Sequence, residues 1–391
     1  MTEINSLAMR ESAMRLASGA AQLQKRYFLS GISIGAEPRI KVLRGFRGVG
    51  KTTALLQLME SKAIYFSMDN PNASMHSLYD IGKKFALEGI SLLLVDEVHH
   101  YKNWKLDTKS LYDEFPSLTI AVSGSSPLAF EPERRYQIVE VEPLSLREYA
   151  QFAGNKTHPN EAWLDIGSTL SFLAQNPWLH VAYSQYIEGG AFPLYFSYKE
   201  KTLQAIYNSI QKSIREDAAF LPRVDGEIIA NMERTLAFLA TAVLGEFSIN
   251  SLSGTLAMPK NKAYYMISLL LSMKILRIVR PAGRGAKLVR GEPKLMFYHP
   301  IMRKAVCAAL QVEPDKGALR EELACFFLSG RGWKINTIKG QKRNPDYIIS
   351  KGSKQLIIEI GGQSKGRAQL QGFAQKTLLI DERQLMLLGL Y

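Results

Sequence analysis

Eight consecutive residues, Gly45-Phe46-Arg47-Gly48-Val49-Gly50-Lys51-Thr52, follow the spacing G-x-x-x-x-G-K-T. Glycines at this spacing let backbone N–H groups turn inward and wrap phosphate oxygens, with the positive end of a following helix behind them. The lysine reaches the β- and γ-phosphates, and the next hydroxyl ligates Mg2+. The candidate nucleotide-binding residues are therefore Gly45, Phe46, Arg47, Gly48, Val49, Gly50, Lys51, Thr52 and Thr53, with Lys51 also acting in catalysis. Further on, the apolar run Leu92-Leu93-Leu94-Val95 ends in Asp96-Glu97. Asp96 would join Thr52 at the metal, directly or through water, and Glu97 would polarise an attacking water as general base. Two adjacent acids suit nucleotide hydrolysis rather than phosphorylation of a small molecule. ATP and Mg2+ are the expected cofactors.

The next apolar stretch ends in Ser123-Gly124-Ser125. Ser123 or Ser125 is placed to hold the lytic water, and an ordinary turn serine is the alternative. Arg134 and Arg135 follow in a loop. Either one suits an arginine finger, acting in cis or on a neighbouring subunit; the second case requires a homo-oligomer. His99 and His100 are adjacent, and consecutive residues rarely point at one ion, so no metal is expected there.

Charge marks a second region. The formal net charge is +13. Residues 251–391 hold 24 Lys and Arg against 9 Asp and Glu, whereas the first 250 residues net −2. Within 251–310 there are 11 basic residues and one acid, Glu292. Such density neutralises phosphates and points to nucleic acid, with a solvated basic face as the alternative. Lys260 and Lys262 open a candidate recognition helix; Arg277, Arg280, Arg284, Lys287 and Arg290 would line a β-hairpin beyond it. DNA is the expected partner, and docking of this region onto the rest of the chain is the alternative. Nearer the C-terminus, Pro345-Asp346 and Glu359 resemble the P-D…(D/E)-x-K pattern of metal-dependent nucleases. Glu322 would supply a third acid. Gly361 stands where the pattern wants lysine, and Lys365 is the candidate substitute.

These residues need elements to hold them. Ile40–Leu43, Ala63–Ser67, Ile90–Val95, Leu118–Ser123 and Gln137–Val141 read as strands. They alternate with helices over Thr52–Lys62, Ser74–Leu87 and Leu106–Glu114. Continuous apolar strands alternating with helices predict a doubly wound α/β fold, a parallel sheet with helices on both faces. It should end near residue 150. Residues 151–230 read as a helical extension. Over 231–311, helices at Met232–Leu244, Phe247–Leu256 and Lys262–Met273 precede strands at Ile275–Arg280 and Lys294–His299, the order of a winged helix-turn-helix. Residues 312–391 read as a small nuclease-like α/β domain: helix Ala318–Leu328, three strands at Trp333–Ile338, Tyr347–Ser350 and Gln355–Ile360, and helix Ala368–Gln375.

Composition sets outer limits. Hydrophobic content of 46% and charged content of 22% fit a folded protein. Cys307 and Cys325 alone cannot build a disulfide framework or a cysteine-rich zinc site, and their apolar surroundings suggest burial. There is no apolar run long enough to span a membrane, and no secretory signal pattern at the N-terminus. The expected location is the cytoplasm, with no membrane partner.

Five phrases, GFRGVGKTT, LLLVDEVHHYKNW, VSGSS, EVEPLSLREYAQF and YIEGGAFP, resemble in that order the prokaryotic, archaeal-ATPase-like P-loop ATPases of the AAA+ superfamily. The resemblance covers nearly the whole chain. It implies an ASCE-type sheet with an extra strand between the two motif strands, and ATP as the nucleotide. It also implies a winged helix and a C-terminal restriction-endonuclease-like domain of the DUF4143 type. In that family the segment Pro143-Leu144-Ser145-Leu146-Arg147-Glu148 closes the ATPase core. Together these readings predict ATP hydrolysis linked to DNA binding. The alternatives are an ATP-gated metal-dependent nuclease and a non-hydrolysing, nucleotide-switched interaction protein.

Overall fold

A computed structural model describes residues 4–124, 133–218, 221, 223–245, 248–283, 291–338, 344–362 and 368–391. The chain divides into two compact units: Met1–Glu142 with Arg215–Arg223, and Pro143–Ile214 with Val224–Tyr391.

The first unit is built on five strands, β1 (Ile40–Arg44), β2 (Ala63–Ser67), β3 (Leu92–Asp96), β4 (Thr119–Gly124) and β5 (Tyr136–Glu140). All pair in parallel, in the order β2-β3-β4-β1-β5. β4 thus lies between the two motif strands β1 and β3, as the resemblance implies. β3 and β4 are buried along their whole length, which is why their sequences are unbroken apolar runs. Edge strand β5 is only partly buried.

The helices of this unit are α1 (Ser6–Ala21), α2 (Lys51–Leu56), α3 (Pro71–Ser74), α4 (Leu78–Leu87) and α5 (Trp104–Glu114). α2 is shorter than the expected Thr52–Lys62. After Leu56 the chain tightens into i→i+3 bonds, Leu58 N to Leu55 O and Met59 N to Leu56 O, and so turns toward β2. The expected helix Ser74–Leu87 is two helices, because Asn70 and Ser77 each cap a separate start. α4 sits very close to α5: a Cβ on Gly82 would run into Leu111.

The second unit begins with α6 (Leu146–Phe152), α7 (Ile166–Gln175), α8 (Trp178–Gln185), α9 (Tyr195–Tyr198) and α10 (Thr202–Lys212). Segment 143–148, expected to close the ATPase core, lies in this second unit. Leu144 N donates to Ala191 O (2.7 Å), Arg147 N to Gly389 O (3.2 Å), and Ser145 and Glu148 form a capping box on α6. Next come α11 (Gly226–Thr241), α12 (Ile249–Thr255), α13 (Lys260–Ser272) and an antiparallel pair, β6 (Leu276–Val279) with β7 (Lys294–Phe297).

The C-terminal part comprises α14 (Pro300–Leu310), α15 (Lys316–Gly330), β8 (Lys334–Thr337), β9 (Tyr347–Lys351), β10 (Lys354–Ile360), β11 (Lys376–Ile380) and α16 (Glu382–Leu388). Its sheet order is β11-β10-β9-β8, with β10 and β11 parallel and the other pairs antiparallel. The helix expected over Ala368–Gln375 is a single 3-10 turn, Ala368–Leu370. Gly372, at φ +83°, turns the chain out of helical geometry and into β11. Neither β11 nor α16 is foreseen in the sequence. Cys307 and Cys325 are free thiols, both buried. Among the described residues, no helix is long and apolar enough to cross a membrane.

Candidate nucleotide site

The P-loop leaves β1 at the carboxyl edge of the sheet. Gly45 passes so close to β5 that a Cβ would strike the Val141 carbonyl. Gly50 takes φ +96° at the start of α2, where a side chain would be strained. Both glycines are therefore fixed by geometry. They turn the loop so that Lys51 points back into it, donating to the carbonyls of Gly45 and Phe46, each at 2.9 Å. Lys51 is buried, which pushes its ammonium below the usual lysine range; the Glu97 and Asp96 carboxylates oppose that shift.

Asp96 is the centre of the site. Thr52 Oγ1 donates to its Oδ2 at 2.6 Å, and Tyr65 OH to the same oxygen at 3.0 Å. Its Oδ1 accepts from Ser123 Oγ and from the Glu97 backbone N–H. The parallel register explains the convergence: Ser67 on β2 pairs with Asp96 on β3, and Val122 on β4 pairs with Val95. The contact between the Asp96 carboxylate and the Thr52 hydroxyl offers two hard oxygens at one point, a donor set that fits Mg2+.

Glu97 sits at φ +47°, uncommon for a residue with a side chain and a mark of a constrained position. Burial pushes its carboxyl up, while the Lys51 ammonium pulls it back. A base kept part-way up in this manner accepts a proton more readily than an exposed glutamate. Glu97 Oε2 lies 3.2 Å from His99 Nδ1, and His99 Nε2 lies 3.5 Å from Asp217 Oδ1. Asp217 also accepts from Arg47, Nε to Oδ2 at 2.9 Å and Nη2 to Oδ1.

The other sequence candidates fall as follows. Ser123 is fully buried with its hydroxyl on Asp96, so it holds the acid rather than an open position for water. Ser125 lies outside the described residues. Arg134 and Arg135 precede β5, whose Tyr136 pairs with Ile40 at the start of β1. They are at the amino edge of the sheet, one strand length or roughly 13 Å from the P-loop edge. This removes the finger in cis: Arg135 pairs with Asp113 (3.3 Å) instead. A short helical turn, Val98–His100, brings donor atoms of Glu97, His99 and His100 within 4.8 Å of one another, closer than adjacent histidines were expected to come. Tyr65 and Asp217 were missed. Tyr65 is one polar residue in an apolar strand, and Asp217 lies 170 positions from its partner Arg47.

In the second unit Lys260 and Arg280 are exposed. Lys262 is committed to Glu227 (2.8 Å) and Asp225 (3.6 Å). Arg277 donates to the Cys325 carbonyl and Ser329 Oγ and lies over the Tyr298 ring. Arg284, Lys287 and Arg290 lie outside the described residues. The end of β6 is tied to β8: Thr337 N donates to Arg280 O (3.0 Å) and Ala282 N to Thr337 O (2.9 Å).

Glu322 is not part of an acid cluster. It is fully buried and accepts from Arg303 Nη2 (2.8 Å), Arg303 Nε and the Phe297 N–H. Its neighbour Glu321 accepts instead from Lys294 Nζ and from Tyr347 OH (2.7 Å); burial pushes its carboxyl up and the Lys294 ammonium opposes that shift. Asp346 and Glu359 clip β9 to β10: Asp346 N donates to Glu359 Oε2 (3.0 Å), and Ile360 N to Asp346 Oδ2 (2.7 Å). Among the described residues they do not form a converging group of three ligands. Lys365 lies outside the described residues.

Comparison with known proteins agrees with this geometry in the first unit. Residues 37–150 match the family described as an AAA domain, and residues 181–315 match a domain of unknown function, DUF8612. The fold of the first unit is that of an AAA-type P-loop ATPase. An uncharacterised protein of Methanocaldococcus jannaschii is 26% identical over 366 residues, covering 84% of this chain and 76% of that protein. RuvB of Thermotoga maritima aligns over 80% of this chain and 96% of its own, at 13% identity and a TM-score of 0.31. A signal transduction ATPase of Pyrococcus horikoshii with a tetratricopeptide repeat sensor aligns over 75% of this chain and 43% of its own, at 11% identity and a TM-score of 0.26.

Proposed function

We propose that the protein binds and hydrolyses ATP with Mg2+, and that its basic C-terminal half binds DNA. The observation that carries the first part is the single cluster of Thr52, Asp96 and Glu97 beside Lys51. In this reading the P-loop N–H groups and Lys51 bind the phosphates, Lys51 exchanging its two carbonyl partners for phosphate oxygens. Bound Mg2+ would neutralise developing charge on those oxygens, held by Thr52 and Asp96. Tyr65 and Ser123 keep Asp96 turned toward Thr52. Glu97 takes the proton of the attacking water.

DNA binding rests on the charge of residues 251–310 and on exposed Lys260 and Arg280. Helices α11 to α13 followed by the β6–β7 pair support a winged helix over 231–311, and the sheet β8 to β11 supports a nuclease-like domain over 312–391. Gly361 and the backbone duties of Asp346 and Glu359 favour a binding rather than a cleaving role there. A finger from Arg134 or Arg135 requires a neighbouring copy.

The test is the ATPase rate with and without duplex DNA across a salt series. Turnover should be lost in Glu97→Gln while ATP binding remains, and DNA affinity should fall steeply as salt rises. Retained turnover in Glu97→Gln removes the base; DNA affinity absent at low salt removes the partner.

A further inference from the structure

The nucleotide motifs leave one buried group unused. Asp217 belongs to Arg215–Arg223, the short stretch by which the chain returns to the first unit. Its side chain is 0% exposed, and an isolated carboxylate there would be costly. Two basic side chains meet it. Arg47, at the apex of the P-loop, donates to both of its oxygens. His99 approaches from the other side, its Nε2 at 3.5 Å from Asp217 and its Nδ1 at 3.2 Å from Glu97. The imidazole, its side chain 2% exposed, packs between the two carboxylates and touches Glu97 by close contact rather than by a hydrogen bond. Glu97, at a left-handed φ, meets the imidazole on that side of its carboxylate.

We propose that Asp217 is a positioning residue for ATP hydrolysis: by fixing His99 it keeps the Glu97 carboxylate aimed at the attacking water. This rests on the hydrolytic reading above. Asp217 contacts Arg47 and His99, and acts through His99. Its bond to Arg47 anchors the carboxylate that His99 leans on, so Arg47 sets where the imidazole rests. A displaced base changes the rate of the chemical step far more than the affinity for nucleotide, because the phosphates are held by the P-loop and Lys51.

The experiment compares the full chain with Asp217→Asn, His99→Ala, Glu97→Gln and the double variant Asp217→Asn/His99→Ala. It measures kcat and KM for ATP, and the affinity for ADP by calorimetry. The expected result is a kcat lower by roughly ten- to a hundredfold in Asp217→Asn and in His99→Ala, with nucleotide affinity within about threefold of the parent. The double variant should be no slower than the slower single one. His99→Ala leaves the Arg47–Asp217 pair intact, so it reports even where Asp217→Asn folds poorly. Unchanged kcat in His99→Ala overturns the proposal, as does an Asp217→Asn effect confined to affinity or thermal stability. Multiplying losses in the double variant overturn it too. A parent protein with no turnover overturns the hydrolytic reading itself and the proposal with it; normal turnover in both single variants overturns only the proposal.

Discussion

Replacing Glu322 with alanine should unfold the second unit at a much lower temperature without touching the ATP site. Glu322 and Arg303 are 0% and 1% exposed at their side chains. The carboxylate accepts Arg303 Nε at 3.0 Å and Nη2 at 2.8 Å, and the Phe297 N–H at 3.0 Å. Arg303 Nη1 donates to Leu239 O, so the guanidinium cannot simply swing out to water. Alanine leaves a buried cation unpaired, at a cost of about 3–5 kcal/mol. The orphaned Phe297 N–H adds about 1 kcal/mol. At roughly 2–4 °C per kcal/mol for a unit of this size class, the melting temperature should fall by about 10–20 °C. Differential scanning calorimetry measures the transition, and binding of ATP by the same sample reports the first unit. A paired replacement, Glu322→Leu with Arg303→Met, removes both charges and should recover most of the loss. A fall under about 2 °C in Glu322→Ala would refute the reasoning and reopen a role for this acid in chemistry.

Lys51→Ala should abolish measurable ATP binding in calorimetry, since the ammonium folded into the P-loop is removed; retained micromolar affinity would count against the phosphate assignment. His299 is fully buried, and burial pushes its imidazole down to about 3. The unfolded chain therefore binds a proton below about pH 6.5 that the native state refuses, so stability should fall as pH drops through that window, by about 1.4 kcal/mol per pH unit. Urea unfolding at pH 7 and pH 5.5 should show this slope in the parent and not in His299→Gln; equal slopes would exclude His299 as its source. Lys260→Glu with Arg280→Glu should weaken duplex DNA binding at low salt and flatten its salt dependence by about two charges; an unchanged titration would reject this surface as the contact.

The site was legible wherever chemistry depends on local spacing. Gly45 to Thr52 and the strand ending in Asp96-Glu97 are each recognisable as a motif within a few residues, and the parallel order of the sheet then brings them together. Contacts made across distant positions were not legible. Nothing near Asp217 in the sequence marks it as the counter-charge of Arg47, and Tyr65 looks like one more aromatic in a strand. Glu321 and Glu322 are adjacent, so pattern alone could not say which turned inward to Arg303 and which to Lys294 and Tyr347; successive helical residues differ by about 100° in direction. The reading of Arg134 and Arg135 as a finger in cis failed because a loop before a parallel strand opens on the edge opposite the P-loop. At the C-terminus, Gly372 ended a helix that composition seemed to continue.

The return of the chain at Arg215–Arg223 bears on how such a P-loop unit is inherited. The AAA family match stops at residue 150, yet the counter-charge of a P-loop arginine lies beyond it, at Asp217. A gene fragment cut at that boundary would encode the loop without the carboxylate that accepts both bonds from Arg47. The nucleotide unit is therefore no cassette that recombination can lift out cleanly. A fragment that keeps the Arg47–Asp217 pair also carries the interval between residues 150 and 215, with the helices encoded there.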